Sequence, residues 1–163
     1  MNSITVRHVK IEDADALQRI YSQPDTQANT LQLPLPSPML WQERLNNLRP
    51  GVHSLVACID EKVVGQLTVE VNATARRRHS ATFGMGVDQD YRQRGVGKAL
   101  IAAMIELCDN WLQVTRIELT VFADNEGAIA LYSQFGFKIE GTAHRYAMRN
   151  GKMVDTHYMA RLI

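Results

Sequence analysis

Alternating hydrophobic and polar residues predict the strands in the first half of this chain. Four segments are predicted strands, residues 3–9, 53–60, 63–72 and 79–88, and apolar side chains recur at every second position in all of them except 53–60. A period of two residues is typical of a strand with one buried face. In the third segment, the odd-numbered residues from Val63 to Val71 are therefore predicted to share one face. Gly84 and Gly86 interrupt the fourth segment, which indicates a bulge or a close approach of another group.

Apolar residues spaced three and four apart predict the helices. The first helix is expected to open around Asp13, whose carboxylate suits an N-cap, and to extend to about Gln23. A second helix is predicted at about 39–48, and a long amphipathic helix at 96–111. A shorter helix is expected to begin near residues 124–125 and to end at Gly136, a favourable C-cap.

Turn-forming residues separate these elements. Four prolines between residues 24 and 38 predict that this segment is not helical. Asp60-Glu61-Lys62 is predicted to be a hairpin turn, and Asn150-Gly151 a type I′ turn that joins two further strands of roughly ten residues each. Residues 117–121 alternate like another strand. The order of elements predicts an α/β protein with a mixed sheet covered by helices.

Composition places the chain among ordinary globular proteins. Its 163 residues predict a single domain spanning 1–163, since domains have about 100–200 residues. The net charge of +1 offers no electrostatic basis for binding nucleic acid or a membrane surface. The two cysteines, Cys58 and Cys108, form neither a disulfide framework nor a metal pair, and the histidines lack metal-ligand spacing. With no signal-peptide pattern at the start, we expect a cytoplasmic protein that binds no metal.

A turn rich in glycine and arginine precedes the long helix. The sequence Arg92-Gln93-Arg94-Gly95-Val96-Gly97 suits an anion site, because glycines let the backbone approach a phosphate and the helix dipole favours negative charge. A P-loop would need glycine at position 92, and a dinucleotide fingerprint would need it at position 100, which is Leu100. By itself, the turn is as compatible with a simple strand-to-helix connection as with a binding site.

The residues around this turn resemble a known family. The stretch from Val87 to Leu100 resembles the acetyl-CoA signature of the Gcn5-related N-acetyltransferases (GNAT), whose core is Arg/Gln-x-x-Gly-x-Gly/Ala. Residues 125–132, followed by Phe135-Gly136-Phe137, resemble the second motif of that family. The resemblance extends over nearly the whole chain. It implies a mostly antiparallel sheet of about seven strands with a splayed parallel pair, flanked by four helices.

The resemblance also implies roles for individual residues. Main-chain groups of Met85 and Val87 would bind the pantetheine arm, and one of their N–H groups would polarise the thioester carbonyl. Asn125 would contact the coenzyme from the neighbouring strand, and Tyr132 would act as general acid for the departing thiolate. The pyrophosphate would be held by the amides of Arg92, Gln93, Arg94, Gly95, Val96, Gly97 and Lys98.

The general base is less well defined by the sequence. An acyl thioester needs no enzyme nucleophile or metal, but the acceptor amine must lose a proton. Relatives that place a glutamate five residues before the motif asparagine differ from this chain, which has Thr120 there. Glu118 is our first candidate, with a structural ion pair as its alternative role. Glu70 and a chain of water molecules remain further possibilities.

The substrate is expected to be a small primary amine. Segments 108–112, 116–122, 30–32 and 41–45 are similar to the bacterial branch that acetylates neutral, apolar L-amino acids at the α-amine. A protein N-terminus or a lysine side chain is the alternative acceptor, and a non-catalytic acyl-CoA sensor is an alternative of another class. A nucleic-acid-binding role would depend on the arginine run at 76–78 alone. The resemblance further implies a homodimer.

Overall fold

One seven-stranded sheet carries the fold in the computed structural model, which describes residues 3–163. The strands lie in the order β1-β2-β3-β4-β5-β7-β6, and β4 and β5 form a parallel pair among antiparallel neighbours. This confirms the mixed sheet that the sequence predicts. The strands are β1 (Ile4–His8), β2 (Val52–Ile59), β3 (Lys62–Val71), β4 (Ser80–Val87), β5 (Arg116–Phe122), β6 (Lys138–Arg149) and β7 (Lys152–Leu162).

Helices cover both faces of the sheet. One buried cluster unites the sheet with α4 and α5, and a second cluster unites its other face with α1 and α3. Leu100 and Met104 anchor the first cluster, and Leu17 and Trp41 anchor the second. The helices are α1 (Ala14–Tyr21), α2 (Pro24–Ala28), α3 (Leu40–Asn46), α4 (Val96–Asn110) and α5 (Glu126–Gln134).

Helix α2 corrects the expectation of four helices and of a non-helical segment at 24–38. Pro24 occupies its first turn. A proline is tolerated there because the first N–H groups of a helix have no partner within it. The remaining three prolines lie beyond α2, where the chain is irregular. The prediction therefore failed over one short turn and held for the rest of the segment.

Asp13 does not cap α1 in the expected way. It directly precedes the helix, but its carboxylate makes no capping bond to the first amides. It accepts the main-chain N–H of Lys10 at 2.7 Å and two hydrogen bonds from the Arg7 guanidinium at 2.8 and 2.9 Å. The Arg7 guanidinium on β1 thus binds the carboxylate in place of the helix amides. Its hydrogen bonds lower the pKa of Asp13 below the ordinary value.

A bulge in β3 changes which of its residues share a face. The register with β2 shifts so that Ala57 faces Gly65 while Cys58 faces Val63. Val64 is therefore the extra residue, and it is buried in the cluster of α4. Val63 belongs instead to the cluster of α1 and α3. The prediction that Val63 shares a face with Val71 is wrong, because alternation alone does not reveal a bulge.

Both predicted hairpin turns are present. Asp60 and Glu61 have φ of 50° and 66°, and Asn150 and Gly151 have φ of 51° and 76°. Positive φ at both central residues is the type I′ geometry, whose twist matches that of the flanking strands.

Candidate functional site

Strands β4 and β5 pair over a short distance and then separate. Their parallel register covers Ser80–Thr82 against Arg116–Glu118. Successive N–H groups of a strand point to opposite edges. Since the N–H of Asp88 bonds to Val64 of β3 and the carbonyl of His79 accepts from the β5 side, the odd-numbered residues of β4 face β5. The main-chain groups of Met85 and Val87 therefore face the gap between the two strands.

The turn before α4 presents a row of amides without acceptors. Among residues 3–163, no acceptor is bonded to the main-chain N–H of any residue from 92 to 98. Gln93 and Gly95 have φ of 61° and 85°, so left-handed and right-handed backbone conformations alternate along the turn. In such a backbone the N–H groups point toward a common centre. Such a concave array at a helix N-terminus binds anions. Within this row Gly95, Val96 and Gly97 are half-buried or buried, and a bound pyrophosphate would supply the partners that their amides need.

Gly97 keeps the start of α4 close to its neighbours. A Cβ atom there would lie 3.1 Å from Met85 Cε and 3.1 Å from Leu131 Cδ2. Gly86 is equally constrained, because its Cβ would lie 2.7 Å from Cε1 of Tyr21. The close approach expected from the glycines of β4 is thus present at Gly86, whereas Gly84 has open space on its side-chain face.

A cavity of about 1000 Å³ passes through the gap between β4 and β5. On one side it reaches the amide turn and α5, and on the other it reaches α1, α2 and α3. It brings together most of the residues predicted for the site: Met85, Val87, Arg92, Gln93, Gly95, Val96, Gly97, Lys98, Asn125 and Tyr132. Arg94 is not in the lining, and its guanidinium lies 5.0 Å from the ring centroid of Tyr91.

Tyr132 of α5 lies in the cavity wall near the gap. Its ring packs edge-on against Phe83 of β4, with centroids 5.7 Å apart, and it is 8% exposed. Burial raises the pKa of its hydroxyl to about 12, because the phenolate would lose its hydration. The group therefore stays protonated at neutral pH and is able to donate a proton.

Asn125 combines a structural contact with a place in the cavity. Its Oδ1 accepts the N–H of Ala128 at 3.2 Å and so caps α5. The residue also lines the cavity, in the connection between β5 and α5. The cap fixes the orientation of the side chain, which suits a residue that positions a ligand.

Glu118 lies outside the cavity lining. Its carboxylate forms ion pairs with Arg77 and Arg116 where β4 and β5 are still paired. Glu70 is likewise outside the lining, and it pairs with Arg49 at 2.8 Å. For Glu118 the geometry corresponds to the structural ion pair that the sequence left open, and Glu70 is held in an ion pair as well.

The half of the cavity beyond the gap was not predicted residue by residue. Tyr21 stacks on Trp41 with centroids 4.6 Å apart, and its hydroxyl donates to the buried side chain of Gln66. Leu31, Leu45 and Leu48 extend the apolar surface. No aspartate or glutamate lines the cavity within the described part of the chain. This side of the site therefore suits an apolar amine without extra positive charge.

The arrangement fits the acetyl-CoA that the resemblance implies. The amide turn would hold the pyrophosphate, and the open edge of β4 would pair with the pantetheine arm as an added strand does. No three His, Cys, Asp or Glu side chains in residues 3–163 are grouped so as to hold a metal ion. Within the same range, no helix has the length and apolarity needed to cross a membrane.

Comparisons with known proteins agree with this geometry. The model of the acetyltransferase (GNAT) family matches residues 15–137. The L-amino acid N-acetyltransferase AaaT of Escherichia coli strain K12 is 54% identical over 162 residues, which cover 99% of each chain.

Solved structures share the fold. A GNAT superfamily phosphinothricin acetyltransferase from Sinorhizobium meliloti, in complex with AcCoA, has a TM-score of 0.86 at 21% identity, over 98% of this chain and 88% of that one. A ribosomal-protein-alanine N-acetyltransferase from Brucella melitensis has a TM-score of 0.82 at 28% identity, over 98% and 99% of the two chains. The chain therefore belongs to the GNAT family of acetyltransferases.

Proposed function

We propose that this protein transfers acetyl from acetyl-CoA directly to the α-amine of a small, neutral, apolar L-amino acid. The observation that carries the proposal is a single continuous cavity that joins the unbonded amides of the turn to an apolar chamber lacking carboxylates. The E. coli relative, an L-amino acid N-acetyltransferase, supports the same substrate class.

The chain's own groups account for the reaction as follows. Acetyl-CoA, when bound, supplies an activated thioester. The N–H of Val87 or Met85 donates to the thioester carbonyl and stabilises the charge that develops on its oxygen. The acceptor nitrogen forms the new C–N bond while the C–S bond breaks. Tyr132 gives its phenolic proton to the departing thiolate, and the proton that the amine loses passes through water and restores the phenol.

Water is the proposed acceptor of that proton because Glu118 and Glu70 are both held in ion pairs outside the cavity. An α-amine in a peptide has a pKa of about 7.7–8.0, compared with about 10.4 for lysine. The α-amine of a free amino acid lies between these two values, because its carboxylate stabilises the ammonium form, so a larger fraction of it than of lysine is neutral near physiological pH. A carboxylate base is therefore not needed to the extent that a lysine side chain would require.

A panel experiment tests the proposed function. The protein is incubated with acetyl-CoA and, separately, with neutral amino acids, cationic amino acids, polyamines and peptides with a free N-terminus, and free thiol is measured. Neutral apolar amino acids should give the highest kcat/KM. Preference for peptides or lysine would identify a protein acetyltransferase instead. Binding of acetyl-CoA without thiol release from any amine would indicate a sensor.

A further inference from the structure

Arg44 is a cation placed in the acceptor half of the cavity. It lies on the exposed side of α3 and lines the cavity together with Trp41, Leu45 and Leu48. The other basic residues of the lining, Arg92 and Lys98, belong to the amide turn on the coenzyme side. The acceptor chamber therefore combines an apolar surface with one guanidinium group contributed by the described residues.

The guanidinium is held in place by neighbours that do not neutralise it. It lies 4.8 Å from the centroid of the Trp41 ring, a cation–π contact, and that ring is itself stacked on Tyr21. Its Nη1 donates to Oε1 of Gln32 at 3.2 Å. The edge formed by Nε and Nη2 makes no hydrogen bond to residues 3–163. A carboxylate accepts two parallel hydrogen bonds from such an edge.

Arg44 also differs from the arginines that are held by aspartates. Arg7, Arg149 and Arg161 each pair with an aspartate through two hydrogen bonds. Arg92, on the coenzyme side, pairs with Asp25 at 3.5 Å. Arg44 has no acidic partner among the described residues, and the cavity around it contains none. The carboxylate that would match it is therefore absent from the protein wall.

We propose that Arg44 binds the α-carboxylate of the amino acid substrate and so selects free amino acids over amines that lack this group. The inference rests on the proposed function and assigns it a specificity-determining residue. With the carboxylate at Arg44, the apolar side chain lies against the aromatic and leucine surface of the chamber. A second cation, as in a polyamine, finds no acidic partner in this cavity.

The test compares two substrates in several variants. The best free amino acid from the panel is measured against its α-amide, which keeps the side chain and the amine but has no carboxylate. Arg44→Gln should lower kcat/KM for the free acid about 10- to 100-fold, mostly through KM, because a charge-assisted pair is lost. For the α-amide, kcat/KM should change less than about threefold in the same variant. Arg44→Lys should give an intermediate loss, since the charge remains without the planar fork.

Each variant is compared with wild type on the same substrate, so the different amine pKa values of acid and amide cancel. Arg78→Gln, which removes an exposed arginine outside this cavity, is the matched control and should leave kcat/KM unchanged for both substrates. If the amide is too poor a substrate, its inhibition constant against the free acid replaces kcat/KM. Equal losses for acid and amide, or no loss, would overturn the role of Arg44 while leaving the proposed function intact. Failure of wild type to acetylate any amino acid would overturn both.

Discussion

At the scale of single residues, Tyr132 shows how environment decides chemistry. Its helical spacing with Ile129 and Phe135 is also that of an ordinary half-buried tyrosine. Packing against Phe83 places it at the gap between β4 and β5 and removes its hydroxyl from bulk water. The raised pKa keeps the proton on the oxygen, which is the form that a general acid needs.

Tyr132→Phe should lower kcat about 100-fold or more, because the departing thiolate loses its proton donor. The affinity for acetyl-CoA should change little. Thiol release and isothermal titration with the coenzyme measure the two quantities, and Tyr158→Phe, an exposed tyrosine outside the cavity, is the control. With the pKa of Tyr132 near 12, the phenol stays protonated below about pH 10, so its ionisation should not reduce activity in that range. An unchanged kcat in the phenylalanine variant would remove the general-acid role.

Glu118→Gln provides the complementary test at the residue scale. If water accepts the amine proton, kcat should fall less than about threefold, since a general base contributes at least 100-fold where one acts. The variant also loses the ion pairs with Arg77 and Arg116, so its thermal midpoint should fall slightly. Glu70→Gln, which breaks the pair with Arg49, is the matched comparison. A loss of 100-fold or more confined to Glu118→Gln would restore Glu118 as the base.

At the scale of elements, the turn between β4 and α4 depends on local sequence and on packing together. The glycines and the residue types of 92–98 predict an anion site, and the structure gives the reason that Gly97 is needed there. A Cβ atom at Gly97 would lie 3.1 Å from the side chains of both Met85 on β4 and Leu131 on α5. A side chain at this position would separate the helix start from both neighbours.

Gly97→Val should therefore weaken acetyl-CoA binding by more than about tenfold, because overpacking displaces the amide turn. Gly141→Ala, at a strand position with open space around it, is the control and should bind normally. Calorimetry with CoA measures the affinity, and circular dichroism checks that both variants are folded. Undiminished affinity in a folded Gly97→Val protein would argue against this turn as the pyrophosphate site.

Turns between elements were predicted correctly where interactions between residues close in sequence determine them. The hairpin turn at 60–62 and the type I′ turn at 150–151 were predictable, because residue types within a few positions indicate them. The bulge at Val64 was not predictable, because it depends on the partner strand β2. Asp13 was misassigned for a similar reason, since its partner Arg7 lies on another element.

At the scale of the whole molecule, the charge distribution of the cavity predicts the pH dependence. No carboxylate of residues 3–163 lines it, so the proton must leave an amine whose own pKa governs the reactive fraction. Activity should rise with pH to a plateau, and the midpoint should move with the pKa of the acceptor across a series of amines. Profiles of kcat/KM against pH for acceptors of graded basicity measure this. A midpoint that stays fixed across the series would indicate an ionisable base on the enzyme.

The homodimer implied by the resemblance stays a prediction of the same scale. Strand β6 lies at one edge of the sheet, and the hairpin of β6 and β7 exposes Ile139, Met148, Met153 and Leu162. Covering such apolar groups would favour association. Light scattering coupled to size-exclusion chromatography measures the state directly, and a monomer at micromolar concentration would contradict the prediction.

The proposed coenzyme half could be predicted from the sequence, since its motifs occupy two short continuous stretches. The proposed acceptor half depends on how the chain folds. Arg44, Tyr21, Gln66 and Thr156 come from α3, α1, β3 and β7, and only the folded sheet brings them around one chamber. Tertiary structure also placed Glu118 in ion pairs outside that chamber. Sequence patterns predict the helix, strand or turn to which a residue belongs, whereas a pocket depends on contacts between elements that are distant in sequence.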